Sequence, residues 1–452
     1  MKPNVFFLII DAFRNDEFRK FCRLHPTSNL NKLVSKGSYF SQTVSSADAT
    51  LLSLASMFTG LYPFKTGIKS EKLNKLNSNV NTFFDFLKLE NYNCYGYNPT
   101  VVNLANLLPT FENDDSAIES SPALTRGLGE KLLQNLDKLK EPWLIFVHST
   151  DLHDPIIIPK EFDQNDFGSN QYERQISAID NQLGKILKKI DFTKTLVVIT
   201  ADHGTYLKQM NVDNKNINFE DNIKTEILQK EISKKIPAFL GPLKDKIFFS
   251  TVERRRKSKL KKIENIPLEP YQRRNLTSEK FNTEHYLFDE LVMVPLLFAG
   301  YGCSQKKIIG NQIRTVDIFP TLLKILGIKF DENSRDGRSL VSLMNGKNCD
   351  ELEACMESNP LIQIKSNDVI GIRTSNYKYF RDVNESTKRV NLYDLVNDPF
   401  ENINIAERNP EVVKEFEMRL QIILNQDVNL LINEDDESSE AISNELKKMG
   451  YT

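Results

Sequence analysis

The sequence predicts an α/β protein with a mostly parallel central sheet and a smaller α+β region at its carboxyl end. Short, continuously apolar runs have the length of strands that are buried on both faces. Helical patterns alternate with these runs, as is typical of a parallel sheet. The pattern changes after about residue 340, where shorter strand-like segments follow one another. The predicted central strands are residues 5–10, 143–148, 195–200 and 294–300.

The helical patterns between these strands cover residues 116–140 and 171–190. Near the carboxyl end, segments 369–374, 377–382 and 390–395 have strand character, and an amphipathic helix is predicted over 410–424. We therefore predict a large α/β domain over residues 1–345. A C-terminal α+β subdomain over residues 346–452 should end in a short terminal helix.

A polar and charged segment over residues 206–280 interrupts the α/β pattern directly after Asp202 and His203. We predict that it is a partly helical insertion close to the site described below. Its residues 254–262 are strongly basic. Such a stretch is either a solvated helix face or a patch that steers anions, for example a polyanionic or membrane-surface substrate.

The composition excludes several classes of protein. The chain has 452 residues, with 59 Lys and Arg against 61 Asp and Glu, so its formal charge is -2. This balance argues against a dominant nucleic-acid surface, and we expect no specific nucleic-acid partner. The five cysteines form no CxxC pair, which argues against a disulfide framework and a thiolate zinc site. No apolar stretch approaches the roughly 20 residues of a membrane helix, and the N-terminal run lacks a signal-peptide cleavage site, so a cytoplasmic location is expected.

Polar residues lie at the ends of two predicted central strands. Asp11 follows the first strand, and Asp202 and His203 follow the strand over 195–200. Ligands bind at the carboxyl ends of strands in such sheets, so these side chains should converge. Two carboxylates and an imidazole suit one divalent cation such as Mn, Mg, Ca or Zn. An Asp at a strand end is also common as a turn or cap residue, so this pattern alone leaves both interpretations open.

A hydroxyl group stands at the start of an apolar helical stretch over residues 50–59. Thr50 and Ser53 are the hydroxyl residues of its first turn. Helix N-terminal amides and a metal ion would both favour the alkoxide of such a hydroxyl. The alternative for Thr50 is a helix cap, which the same position favours.

Nine segments follow one another along the chain: NVFFLIIDAFRND, ATLLSLASMFTGLYPFKTG, HSTDLHDP, TLVVITADHG, EHYLFDELVMVPLLFAG, VDIFPTLLKILGI, DGRSL, RTSNYKYF and LYDLVNDPFENINIAE. In this order they resemble the sulfatase family of the alkaline phosphatase superfamily. The resemblance covers nearly the whole chain. It implies an alkaline-phosphatase-like three-layer sandwich, with residues 1–345 as the catalytic domain.

The resemblance also implies roles for individual residues. Position by position, the implied metal ligands are Asp11, Thr50, Asp202 and His203. Thr50 stands at the nucleophile position, His153 and His285 match the residues that contact the substrate anion or leaving group, and His148 is placed as an outer residue of the same cluster.

The chain departs from the family at the nucleophile. Sulfatases of this family carry Cys or Ser in a CxPxR-type motif, which is converted to formylglycine, whereas the matching positions here are Thr50, Leu52 and Leu54. Formylglycine cannot form from threonine. Thr50 instead resembles the phosphate-transferring branches, so we predict a metal-dependent hydrolase or transferase of phosphate mono- or diesters that works through a Thr50 covalent intermediate. The alternatives are a sulfate ester hydrolase without formylglycine and an inactive protein that binds an anion.

Overall fold

The computed structural model describes residues 2–68, 75–116, 121–212, 215–219, 241–278, 285–303, 307–359 and 367–425. Its central sheet has seven strands in the order β3-β4-β1-β5-β8-β2-β9. These strands are β1 (Asn4–Ile10), β2 (Gly37–Val44), β3 (Asn93–Tyr97), β4 (Trp143–Ser149), β5 (Thr195–Thr200), β8 (Met293–Gly300) and β9 (Lys307–Arg314). A two-stranded hairpin, β6 (Gln209–Val212) and β7 (Lys215–Asn218), stands apart from it.

The central sheet is mostly parallel, as predicted. β1 pairs in parallel with both β4 and β5, and β3 is parallel to β4. β8 is the exception, because it runs antiparallel to both β5 and β2. The apolar run over 294–300 therefore does form a strand, but its direction is reversed. Consequently the residues that precede β8, not those that follow it, lie at the edge where β1 and β5 end.

Helices cover both faces of the sheet, which gives the predicted three-layer sandwich. Alternate residues of β1 belong to different cores: Phe7 packs into one apolar cluster and Phe6 and Leu8 pack into the other. Both clusters are fully buried at β1, which explains its unbroken apolar sequence. The α-helices are α1 (Asn15–Leu24), α2 (Asn29–Val34), α3 (Thr50–Thr59), α4 (Pro63–Thr66), α5 (Phe83–Leu89), α6 (Thr100–Leu104), α7 (Leu128–Asn135), α8 (Gln171–Leu187), α9 (Gly241–Lys262), α10 (Pro270–Thr277), α11 (Asp289–Val292), α12 (Ile318–Leu326), α13 (Val341–Met344) and α14 (Pro410–Leu424).

The helical prediction over 116–140 was too long. The α-helix there is only α7, and it begins after Gly127, whose φ of 101° ends the preceding turn. Residues 117–120 lie outside the described part of the chain. The helix predicted over residues 171–190 is confirmed as α8 (Gln171–Leu187). The Asn170 side chain accepts a hydrogen bond from Glu173 N–H and so caps this helix.

The C-terminal region forms a separate antiparallel sheet in the order β10-β11-β12-β13. Its strands are β10 (Ala354–Glu357), β11 (Val369–Arg373), β12 (Tyr377–Asp382) and β13 (Asn391–Asp394). Phe416 and Leu420 of α14 pack on this sheet. The predicted α+β character is confirmed, while the predicted terminal helix lies outside the described residues. Buried ion pairs of Asp289 with Arg373 and Lys378 join this sheet to the segment before β8.

The described part of the 206–280 insertion contains the hairpin and helices α9 and α10. It contacts the loop after β1, since Arg14 donates hydrogen bonds to Asn275 Oδ1 at 2.7 Å and to the Tyr271 hydroxyl at 2.9 Å. Arg14 is fully buried and lies three residues after Asp11. The insertion is therefore attached to the loop that carries Asp11.

All five cysteines are free thiols. Among the helices described, none combines the length and apolarity that crossing a bilayer requires.

Candidate active site

The ends of three adjacent strands bring the first site residues together. Ile9 of β1 lies in register with His148 of β4 and with Thr200 of β5. Asp11 follows β1 directly, and its backbone N–H donates to Ser149 O at 2.8 Å. Asp202 lies two residues beyond the end of β5. The sheet register alone therefore places the two carboxylates side by side, as the sequence predicted.

Asp11, Asp202 and His203 form one cluster. Their potential ligand atoms all lie within 4.8 Å of one another. His203 Nε2 is 3.7 Å from Asp11 Oδ1 and 3.6 Å from Asp202 Oδ2. His203 Nδ1 is 2.7 Å from Gly204 O, and a carbonyl can only accept. This contact assigns a proton to Nδ1, so Nε2 is the ring nitrogen that faces the carboxylates and that a cation would bind.

Several oxygen atoms of the cluster are buried without a hydrogen bond. Asp202 Oδ1 accepts from the N–H groups of Ala12 and His203 at 3.3 and 2.9 Å. Asp202 Oδ2 and both Asp11 oxygens, in contrast, have no hydrogen-bond partner within the described part of the chain. Burying carboxylate oxygens without partners is costly unless a cation compensates them. The donor set of two carboxylates and one imidazole therefore fits a divalent cation.

Electrostatics in the cluster favour the ionised carboxyl. Burial raises the pKa of Asp11, but the positive charges of His153 and His203 and the contact with His148 outweigh it and hold this pKa well below its usual range. Burial lowers the pKa of His203, and the charges of Asp202 and Asp11 raise it overall. A carboxylate that stays charged in a buried site is the form that binds a cation.

Thr50 places a hydroxyl beside this cluster. It is the first residue of α3, and the cap position belongs to Ala49, which has no side-chain hydrogen bond. Thr50 Oγ1 lies 3.3 Å from His203 Nε2 instead. The Ser53 hydroxyl is turned away, since it donates to Ala47 O at 3.0 Å. The helix-cap alternative therefore does not describe Thr50, and of the two predicted hydroxyls only Thr50 faces the cluster.

His153 lies on the loop after β4. Its N–H donates to Thr150 O at 3.2 Å, and its charge acts on the carboxyl of Asp11. The next residue, Asp154, forms an ion pair with Lys208 at 3.0 Å. This pair ties the loop to the segment five residues beyond His203. His153 is thus brought near the cluster, as expected, together with a lysine that the sequence did not single out.

His285 lies between two carboxylates, those of Asp48 and Asp368. Its Nδ1 is 3.7 Å from Asp48 Oδ2, and its Nε2 is 3.9 Å from Asp368 Oδ1. Asp48 stands two residues before Thr50, so its proximity could have been inferred from the sequence. Asp368 could not, because it comes from the C-terminal region and reaches the site only through the tertiary fold. Of the predicted residues, Asp11, Asp202, His203 and Thr50 are in direct proximity. The histidine outside the predicted set, His25, packs against Phe21 of α1 instead.

Gly204 offers a test of how His203 is oriented. A Cβ at this position would lie 2.1 Å from Glu290 O, so Gly204→Ala must displace the backbone whose carbonyl holds His203 Nδ1. We expect the affinity for a divalent cation to fall by about 10- to 100-fold, the usual cost of losing an outer-shell contact. Calorimetric titration of the metal-free protein measures this. Gly310→Ala is the matched control, because a Cβ there meets nothing within 4 Å; an equal loss in both variants would contradict the prediction.

Two family models match this chain. The model of the family described as Sulfatase matches residues 3–328. A second model, described as N-sulphoglucosamine sulphohydrolase, C-terminal, matches residues 279–426. Among curated proteins, arylsulfatase K of Mus musculus is 29% identical over 145 residues, which is 31% of this chain and 26% of that protein. The human arylsulfatase K is 28% identical over 145 residues, covering 31% of this chain and 27% of that protein. The chain thus matches only about a quarter of these relatives' length.

Solved structures share the fold over almost the entire chain. The phosphonate monoester hydrolase of Agrobacterium radiobacter superposes with a TM-score of 0.62 at 15% identity, covering 94% of this chain and 96% of that one. A 2-O GAG sulfatase superposes with a TM-score of 0.62 at 17% identity, covering 97% of this chain and 96% of that one. At these identities the likeness concerns the fold alone. The same architecture therefore occurs in proteins that differ in the ester they cleave.

Proposed function

The chain belongs to the sulfatase family, whose members hydrolyse sulfuric or phosphoric esters, and from this premise we propose that it cleaves a phosphate mono- or diester with Thr50 as the nucleophile. The observation that carries the proposal is the position of the Thr50 hydroxyl, 3.3 Å from His203 Nε2 and beside the two buried carboxylates. Threonine cannot become formylglycine, so its hydroxyl has to react as it stands.

Asp11, Asp202 and His203 would hold a divalent cation, with the Thr50 hydroxyl next to them. Sulfatases of this superfamily use such an ion, which when bound neutralises an ester anion and lowers the pKa of a neighbouring hydroxyl. Thr50 Oγ1 would give its proton to solvent water and form a bond to phosphorus while the bond from phosphorus to the departing ester oxygen breaks. The position of Thr50 at the start of α3 adds a favourable helix dipole for the incoming anion.

The departing oxygen needs a proton, and two histidines are placed to supply it. His153 lies on the side of Asp11, and His285 lies on the side of Asp48. Either one protonates the leaving group or binds the non-bridging oxygens of the ester. Water, or an acceptor alcohol, then takes the phosphoryl group from Thr50 and restores the hydroxyl.

A sulfate ester is the second candidate substrate. It is favoured by the partial similarity to arylsulfatase K and by a structural neighbour described in complex with D-glucosamine-2-N,6-O-disulfate. Attack of an unmodified Thr50 on sulfur would serve this reaction with the same residues. An inactive anion-binding protein would also keep the pocket, but it has no need for buried, uncompensated carboxylate oxygens.

The deciding experiment compares three nitrophenyl esters with Mn- or Zn-loaded protein: the phosphate, the bis-phosphate and the sulfate. We expect turnover of one or both phosphate esters and little of the sulfate. High-resolution mass spectrometry of acid-quenched enzyme distinguishes phosphorylation from sulfation on the Thr50 peptide. Faster sulfate turnover would replace the proposal with the second candidate, and turnover of none would support the inactive protein for these substrates.

The exposed basic residues of α9 extend the proposal to larger substrates. Arg254, Lys257, Lys261 and Lys262 are solvent-exposed, and no large exposed apolar side chain accompanies them in the described part of this helix. This composition favours electrostatic contact with a polyanionic substrate over insertion into a membrane surface.

The buried carboxyl group of Glu357 leads to a prediction of how the binding of an anionic ester depends on pH. It pairs with the loop before Thr50, donating its N–H to Ser46 O at 3.0 Å. Burial and the charge of Asp48 raise the pKa of Glu357 to about 8, so the residue is neutral below that pH and anionic above it. We expect the KM for an anionic ester to rise about three- to tenfold between about pH 7 and 9, because a second negative charge appears beside Asp48.

Glu357→Gln should flatten this rise, since glutamine cannot ionise. KM is measured across the pH range at saturating metal. Glu385→Gln is the control and should keep the wild-type profile, because Glu385 is an exposed glutamate whose carboxylate pairs with Lys388. A profile that keeps its rise in Glu357→Gln would contradict the assignment.

A further inference from the structure

His148 occupies the centre of the site but has no role in the function described so far. It is the penultimate residue of β4, in register with Ile9 of β1. Asp11 lies two residues beyond Ile9, and its N–H is bonded to Ser149 O. The position of the His148 ring relative to Asp11 is therefore set by the hydrogen-bonding of two central strands and not by a loop.

The His148 ring is buried without hydrogen bonds. Its side chain is 0% exposed, and neither ring nitrogen has a hydrogen-bond partner among the residues described. A buried imidazole normally satisfies at least one nitrogen. Its Nε2 points at the two carboxylates, 3.4 Å from Asp11 Oδ2 and 3.8 Å from Asp202 Oδ2. His148 thus approaches the same pair of carboxylates as His203 does, at nearly the same distances.

These distances suit ligands of one cation. Metal–ligand bonds of about 2.1 Å place neighbouring donor atoms about 3.0 to 3.4 Å apart. Contacts of 3.4 and 3.8 Å require only a contraction of a few tenths of an ångström. The alternative is a hydrogen bond from His148 Nε2–H to Asp11 Oδ2, but the 3.4 Å contact is longer than the usual N–H···O distance of about 2.9 to 3.0 Å and lacks good hydrogen-bond geometry.

We propose that His148 binds the cation through Nε2, so that the site holds it with two carboxylates and two imidazoles. This inference rests on the metal-dependent function proposed above and goes beyond it by naming the class of metal. Calcium and magnesium prefer oxygen ligands, whereas imidazole suits transition metals. The site therefore selects a zinc-like ion over calcium and magnesium.

Metal binding tests this directly and needs no turnover. Metal-free protein is titrated calorimetrically with Zn²⁺ and with Ca²⁺, in wild type and in His148→Gln, which puts an amide oxygen near the place of Nε2. We expect the variant to lose at least about a hundredfold in Zn²⁺ affinity, more than the usual cost of an outer-shell change. Its Ca²⁺ affinity should change little, so the preference for Zn²⁺ over Ca²⁺ becomes smaller. His25→Gln is the matched control and should titrate like wild type, because His25 lies directly after α1 and packs against Phe21.

A second measurement counts the imidazoles in the wild-type protein, so the proposal does not depend on the folding of a variant. In Co²⁺-loaded protein, each coordinated histidine gives a strongly shifted ring N–H signal in the proton NMR spectrum. Two such signals are expected, from His148 and His203. A single signal, or unchanged Zn²⁺-to-Ca²⁺ selectivity in His148→Gln, would overturn the proposal and leave His148 as a residue that only positions Asp11. If two signals appear but no ester is cleaved, the proposed function fails and the ligand assignment stands.

Discussion

Thr50→Ala should reduce ester turnover by at least about a thousandfold, the scale seen when an enzyme loses its nucleophile. The structure places Thr50 Oγ1 beside His203 and leaves the only other hydroxyl of that first turn, on Ser53, bonded to the backbone of Ala47. Ser53 is therefore not placed to take over the attack, so the loss should appear in kcat. Single-turnover and steady-state kinetics with the nitrophenyl esters measure it.

Two further variants separate chemistry from folding. Thr50→Ser keeps a hydroxyl and should retain a measurable fraction of turnover together with the covalent intermediate. Ser56→Ala changes a buried residue of the same helix and should leave kcat close to wild type. If Thr50→Ala kept full turnover while the Thr50 peptide stayed unmodified in wild type, the nucleophile would have to be sought elsewhere.

Asp202→Asn should abolish productive metal binding. Its Oδ1 can still accept from the N–H groups of Ala12 and His203, so the loop is expected to keep its shape. Asparagine is uncharged, however, so the cluster loses the negative charge of the Asp202 carboxylate. We therefore expect cation affinity to fall by at least about a hundredfold, more than the usual cost of an outer-shell change. Turnover should fall with it. Calorimetric titration and metal analysis after dialysis measure the binding.

Asp180→Asn is the matched control for this variant. Asp180 is a buried carboxylate of α8 that accepts hydrogen bonds from the N–H groups of Asn29 and Leu30. Its replacement should lower the unfolding temperature and leave metal affinity unchanged. Stoichiometric metal in dialysed Asp202→Asn would show that the cation is held by other residues.

Local sequence was sufficient for the strands that build the site. Residues of β1, β4 and β5 are buried on both faces, so their apolar runs were continuous and their ends were clear. Strands β2 and β9 were not predicted, because each mixes polar and partly exposed residues with apolar ones near the border of the sheet. The direction of β8 also escaped prediction, since an apolar run carries no information on strand orientation.

The sequence by itself determined the sulfatase-like fold and the candidates Asp11, Thr50, Asp202 and His203. It could do so because parallel strands end at a common edge, and because the nucleophile position is fixed by its spacing from a neighbouring motif. Only the tertiary structure decided what surrounds them. The burial of His148 between the carboxylates and the place of His285 between Asp48 and Asp368 join residues far apart in the chain. Contacts of that kind depend on how strands and the C-terminal sheet pack, which no local pattern records.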